Sequence, residues 1–135
     1  MRRFEKCTTA TENTKLPQRS TEQAAGYYFY SPVSITIGPK QWGMVRTHIK
    51  AKMAADDVLM IFPRSSMGCK KHLMLSNTVG VIDSDYYNNP DNEGNIIIAI
   101  YNYGDRAQHI DVGDKVAQGI FLKFGITSDD ATAAK

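Results

Sequence analysis

An apolar run, Val79-Gly80-Val81-Ile82, leads straight into Asp83-Ser84-Asp85 and then Tyr86-Tyr87. Val, Ile and Tyr favour strands, and a glycine lets the backbone turn or approach a ligand closely. The acids therefore fall where a strand ends, a common place for a site. Asp83 cannot share Ile82's face on a strand, so one faces a core and the other a cleft or solvent. A carboxylate there can accept a proton or hold a water. With an ordinary pKa of about 4, a carboxylate is ionised at neutral pH and needs positioning rather than a large shift. Asp85 is the competing candidate. Tyr86 offers a flat face to a sugar or base, or simply a ring for packing. A hairpin with polar turn residues explains the same pattern without any chemistry.

Two other stretches carry donors. Pro63-Arg64-Ser65-Ser66-Met67-Gly68 follows the apolar run Val58–Phe62. Pro63 closes a strand, Arg64 brings a forked cation, and Ser65 and Ser66 bring hydroxyls. Gly68 keeps the turn open. Backbone N–H groups in such a turn can form an anion nest, and a guanidinium pairs well with phosphate oxygens. An ordinary polar turn fits equally, with Lys70, Lys71 and His72 as rim charge. Downstream, Gln118 is an amide inside the apolar strand Val116–Phe124. If buried it demands a partner, which a phosphate oxygen or a backbone group could supply.

The elements that must position these groups are short. Residues 24–31 (AAGYYFYS) read as a strand reached through a turn, and residues 33–37 alternate as a half-buried strand ended by Gly38-Pro39. Strand-like residues continue from Gln41 to Lys52, with room for one helical turn between Lys52 and Asp57. Leu73–Leu75, Asn95–Tyr101 and Gln108–Val112 add further strands, and Tyr87–Gly94 is a loop by composition. Many short strands and almost no helix predict an all-β barrel or sandwich. The 135 residues predict a single domain over 1–135, with an N-terminal arm (1–23) and a mobile C-terminal tail (126–135).

Composition narrows the partners. Sixteen basic against 14 acidic residues leave a net charge of +2, so a nucleotide must be held by a few placed groups and no nucleic-acid polymer is expected. Cys7 and Cys69 form neither a metal spacing nor a disulfide framework, and the three histidines are scattered, which points to a reducing, cytoplasmic setting and away from zinc. No apolar run reaches membrane length.

With these stretches in view, the chain resembles the trimeric dUTP diphosphatase (dUTPase) family along nearly its whole length. KLPQRSTEQAAGYYFYS resembles the first family motif and the arm before it. PRSSMG resembles the second, NTVGVIDSDY the third and VGDKVAQGIFLKF the fourth. The version is similar to bacterial or bacteriophage members. The resemblance implies a distorted jelly-roll β barrel, assembled as a homotrimer with active sites shared between neighbours. It implies hydrolysis of dUTP to dUMP and pyrophosphate with Mg2+ held mainly on the triphosphate. By the same resemblance, Asp83 orients the attacking water and touches the sugar 3′ hydroxyl. Tyr86 packs on deoxyribose and excludes a 2′ hydroxyl. Asn77 and the backbone of Gly80, Val81 and Ile82 read the uracil edge in a hairpin pocket. Arg64, Ser65 and Ser66 bind phosphates from a neighbouring chain, and Gln118 contacts them too.

Three departures from the family pattern stand out. The first motif normally reads AGYD, and Tyr28 stands at the aspartate, a residue associated with hydrated magnesium. Metal support is therefore expected to be weaker or to come from elsewhere. The loop Tyr87–Gly94 is longer than the usual turn and is expected to add a lid or surface. The family's glycine-rich GGFGSTG-like segment, which closes over the nucleotide, does not follow before Lys135. A chain lacking it is expected to bind dUTP but turn over slowly. The alternative these departures keep open is a regulatory, nucleotide-gated or protein-binding protein on the same barrel. A dCTP deaminase relative shares the barrel, but its acid–base glutamate arrangement is not visible.

Overall fold

The computed structural model describes residues 1–133, apart from the side chains of Ser65, Cys69 and Lys70. Strand-forming residues in short alternating runs produce twelve strands. They are β1 (Arg3–Lys6), β2 (Gln18–Arg19), β3 (Tyr27–Tyr30), β4 (Ile35–Ile37), β5 (Trp42–Arg46), β6 (Ile49–Lys52), β7 (Asp57–Phe62), β8 (Leu73–Leu75), β9 (Gly80–Ile82), β10 (Ile97–Asn102), β11 (Gln108–Ile110) and β12 (Lys115–Lys123). Among the described residues one α-helix, α1 (Ser65–Lys71), and one 3-10 turn (Ser84–Tyr86) complete the elements. The all-β expectation holds.

All described pairings are antiparallel, in four sheets: β2-β3-β12-β7-β9, β5-β10-β8, β1-β6 and β11-β4. They wrap one core. In β7, Leu59 and Ile61 point inward, and in β10 Ile98 and Ile100 do so, all 2% exposed or less. That alternation is the period-2 signature of a sheet with one covered face. No helix of the described residues is long and apolar enough to cross a membrane.

Several sequence expectations are corrected here. The stretch around Gly80 is not a hairpin, because β8 pairs with β10 while β9 pairs with β7. Residues 76–79 instead cross from one sheet to another, with Thr78 at a positive φ of 66°. The open turn expected at Ser65–Gly68 is the helix α1, and Gly68 lies inside it. Tertiary contacts outweigh the poor helix propensity of two serines and a glycine. Met67 is buried, the Tyr103 hydroxyl donates to the Gly68 carbonyl at 3.0 Å, and left-handed His72 closes the helix through its N–H to the Met67 carbonyl. Residues 54–57 form a plain turn, not a helical one: Asp57 N–H donates to the Ala54 carbonyl at 3.0 Å. Of the tail 126–135, Ala134 and Lys135 lie outside the described residues.

The N-terminal arm is built into the domain. Strand β1 pairs with β6, and Arg2 reaches the carboxylate of Asp57 at 2.7 Å. Arg2 and Lys123, with the Ala54 N–H, hold that buried carboxylate well below the usual range. The loop Tyr87–Gly94 is tied to the same arm. Tyr87 donates to Glu5 at 2.5 Å, and Glu93 accepts from the Thr8 N–H and hydroxyl at 3.0 and 2.6 Å. The expected lid or added surface is therefore a strap fastened to residues 5–8 and to Lys50.

The Glu93 site makes a pH prediction. Lys50 at 2.7 Å, then Thr8, pull the Glu93 carboxyl down to about 2 from an ordinary 4.5. A depressed carboxyl stabilises the fold above the unfolded value and loses that contribution as pH falls through the folded value. Its share of stability is thus complete above about 4.5 and lost on the way to about 2. Urea midpoints of Glu93→Gln are expected to start lower at pH 7 and fall less steeply than wild type across that window. Parallel pH slopes would contradict the assignment.

Candidate active site

Asp83 follows β9 directly and opens the 3-10 turn. Ile82 packs against the core while Asp83 is exposed, as the alternation of faces requires. The Asp83 carboxylate makes no hydrogen bond or ion pair among the described side chains, so its oxygens are free for a water. Asp85, also exposed, sits within the turn. Tyr86, the last residue of the turn, is half-buried against the core. Its hydroxyl donates to the Asn95 carbonyl at 2.8 Å and accepts from the Asn92 amide at 2.8 Å. With its hydroxyl fixed on both sides, the ring is a rigid plate next to Asp83.

The crossing at residues 76–79 opens a small cavity of about 90 Å³. Asn77, Gly80, Val81 and Ile82 line it together with Ile97 and Ile98 of β10. Gly80 suits the close approach there: a Cβ would stand 3.0 Å from Ile61 Cβ, tight enough that the neighbour would have to give, and 3.7 Å from the Asn77 amide nitrogen. The glycine lets β9 lie close on β7, and this close packing puts the Asn77 amide and a strand edge at one opening. The sequence places Asn77 and residues 80–82 in one motif, and the structure brings them to one cavity.

A second group forms elsewhere. Arg64 precedes α1 in extended conformation and lines a cavity of about 110 Å³ with Ser66, Lys71, Asp114 and Lys115. Its Nε is buried without a hydrogen-bond partner. An unpaired buried guanidinium N–H is costly, and an anion in the cavity would satisfy it. The Ser65 side chain lies outside the described residues, so its expected phosphate contact has no structural account. Gln118 stands in β12 between Tyr28 of β3 and Phe62 of β7. It is half-buried, so its amide is not forced into an internal bond. Gly26 makes room for it: a Cβ there would meet Gln118 Oε1 at 2.6 Å.

Lys115 was not singled out from sequence. It stands three residues before Gln118, a spacing that puts two residues on opposite strand faces. The ladder between β12 and β3 is irregular between Lys115 and Ala117, so Lys115 pairs with Tyr30 while Gln118 pairs with Tyr28. Tyr28 and Tyr30 share a face, and the bulge therefore turns Lys115 to the side of Gln118. Nothing in the GDKVAQ stretch by itself announces that bulge.

The two groups are separated within one chain. Ile82 pairs with Leu59, which puts Asp83 level with Val58, while Gln118 pairs with Phe62. Four residues at about 3.3 Å each place them about 13 Å apart along β7. Arg64 lies beyond Phe62, on the Gly80 side of the Asn77 cavity and away from Asp83. A ligand that fills the Asn77 cavity and reaches towards Asp83 therefore extends away from the Arg64 of its own chain.

Residues 12–132 match the family model described as dUTPase. A deoxyuridine 5′-triphosphate nucleotidohydrolase of Lactococcus lactis is 42% identical over 120 residues, which cover 89% of this chain and 80% of that relative. The crystal structure of dUTPase from Streptococcus mutans superposes with a TM-score of 0.88 at 42% identity, covering 93% of this chain and 98% of that one. The Staphylococcus bacteriophage 80alpha dUTPase with dUPNHPP superposes with a TM-score of 0.82, covering 100% and 89% of the two chains. At 17% identity that likeness carries the fold alone.

Proposed function

Because this chain belongs to the dUTPase family, we propose that it hydrolyses dUTP to dUMP and pyrophosphate at a site shared between neighbouring chains of a trimer. The observation that carries the shared site is the position of Arg64, beyond the uracil end of its own chain's cavity, while Asp83 stands at the opposite end of β7.

Uracil enters the Asn77 cavity, where the Asn77 amide and the backbone of Gly80, Val81 and Ile82 meet its edge. Cytosine exchanges one acceptor for a donor on that edge and leaves groups unpaired. The deoxyribose packs on Tyr86, whose ring cannot retreat because Asn95 and Asn92 hold its hydroxyl. Asp83 accepts a hydrogen bond from a water and takes its proton as the oxygen attacks the α-phosphorus. The bond from that phosphorus to the bridging oxygen breaks, and pyrophosphate leaves with the electron pair. Arg64, Ser65, Ser66 and Gln118 of the next chain bind the phosphates, and the Arg64 guanidinium stabilises the charge moving onto the leaving group.

The family resemblance implies magnesium. Among the described residues no three of His, Cys, Asp and Glu gather as a metal-ligand set. At the family's aspartate position, Tyr28 has Lys115 and Arg64 over its ring. These residues do not fit a magnesium ion ligated by the protein. In an assay, magnesium enters as the counterion of dUTP.

The test is a panel of dUTP, dCTP and dTTP with product identification. The expected result is dUMP and pyrophosphate from dUTP, with kcat/KM for dCTP lower by about 10²-fold, the cost of unpaired polar groups. Deoxyuridine nucleotide formed from dCTP, or equal rates on all three, would overturn the reading.

A further inference from the structure

Tyr28 sits half-buried on β3 under two cations. Lys115 Nζ lies 4.4 Å from the ring centroid and Arg64 Cζ lies 5.8 Å from it. Both border the cavity of about 110 Å³, and Lys71 borders it as well. Among the described residues the only acid on that lining is Asp114, and its Oδ2 already accepts the Asp111 N–H at 2.9 Å. Neither Arg64 nor Lys115 has a carboxylate partner among the described residues, and Arg64 Nε is buried with no hydrogen bond.

An aromatic face attracts cations through its quadrupole but carries no formal charge. A carboxylate at this position would pair with one of the cations and cancel a unit of charge. The ring instead contacts both cations without neutralising either, and both line the same cavity. Two cations bordering one cavity favour a partner carrying two or more negative charges. A diphosphate group carries its charge on two phosphoryl groups and can offer one to each cation, whereas a nucleoside monophosphate has a single phosphoryl group to offer.

We propose that Tyr28 is a positioning residue whose ring aims Arg64 and Lys115 as a paired clamp for a diphosphate group, and that Lys115 is a phosphate-binding residue beside Arg64. The proposal rests on the dUTP reading only for the origin of the diphosphate, the β and γ phosphates of a nucleotide seated mainly on the next chain.

The test is calorimetric titration of the full chain with inorganic pyrophosphate, dUPNHPP and dUMP, in EDTA. Tyr28→Leu is expected to weaken pyrophosphate and dUPNHPP binding by about 5- to 30-fold, the range of two cation–π contacts. Lys115→Gln is expected to weaken them comparably. Tyr28→Phe and Tyr28→Trp, which keep a ring, restore affinity to within about twofold of wild type, since the ring and not the hydroxyl carries the attraction. The affinity for dUMP stays within about twofold in all four variants, because its one phosphate is the α phosphate and the clamp takes the β and γ phosphates. Wild-type affinity in Tyr28→Leu would overturn the proposal. So would a loss in Tyr28→Phe as large as in Tyr28→Leu, or an equal loss of dUMP. If wild type hydrolyses dUTP but does not bind pyrophosphate, the clamp falls and the function stands. If the variants show the expected pyrophosphate pattern while dUTP is not hydrolysed, the function falls and the clamp stands.

Discussion

Asp83→Asn is expected to lower kcat for dUTP by about 10³-fold while leaving dUPNHPP affinity within about threefold of wild type, the pattern for loss of a positioned general base. The amide is nearly isosteric, so the turn it opens should persist. It can hold a water but cannot take its proton. The carboxylate has no internal partner to lose, so a stability change is not the route to the effect. Asp85→Asn is the control: it stands two residues further on, inside the 3-10 turn, and is expected to change kcat by less than about threefold. If Asp85→Asn produced the large loss and Asp83→Asn did not, Asp85 and not Asp83 would be the base. Pyrophosphate release in the steady state, with dUPNHPP titration beside it, separates the two.

Arg64→Ala is expected to lower kcat/KM by about 10²- to 10³-fold, because a charge-assisted fork facing the leaving diphosphate is removed. Arg64→Lys keeps the charge but loses the fork, so most of the loss should remain. The buried Nε without a partner gives this variant a second expectation. Removing it takes away an unsatisfied buried donor, so Arg64→Ala should not unfold the domain and its urea midpoint should equal or exceed that of wild type. A midpoint well below wild type would mean that Arg64 is a structural residue.

Strand positions were legible because alternation is local. Ile98 and Ile100 point inward and Ala99 and Tyr101 outward, as a period of two demands. Strand partners were not legible in the same way. The residues around Gly80 carry the composition of a hairpin, yet β8 finds β10 and β9 finds β7, both far away in sequence. Helix α1 escaped notice because its propensity is poor and its supports, Tyr103 and the buried Met67 side chain, act through tertiary contact. The role of Asn102 was not legible either. It is fully buried at the end of β10, donates to the carbonyls of Ile37 and Arg106, and accepts from Gly104 N–H. A buried amide satisfied in that way pins the turn after β10, and a single asparagine after an apolar run does not disclose it.

At the site, the motif residues Asn77, Gly80, Val81 and Ile82 were legible as a group because they are contiguous. The assembly of Tyr28, Arg64 and Lys115 was not. It joins three distant stretches and depends on a bulge that no residue type marks. The departure at Tyr28 was visible from sequence, but the two cations over it became visible only in three dimensions.

The most direct test of the account is subunit mixing. Asp83→Asn and Arg64→Ala chains, each nearly inactive alone, are to be unfolded together in equal amounts, refolded, and assayed for pyrophosphate release from dUTP. If each site takes Asp83 from one chain and Arg64 from its neighbour, about a quarter of the sites in randomly mixed closed rings regain both groups, and activity returns to about a quarter of wild type. Mixed trimers, verified by native mass spectrometry, that remain as inactive as the separate variants would contradict a site shared between chains.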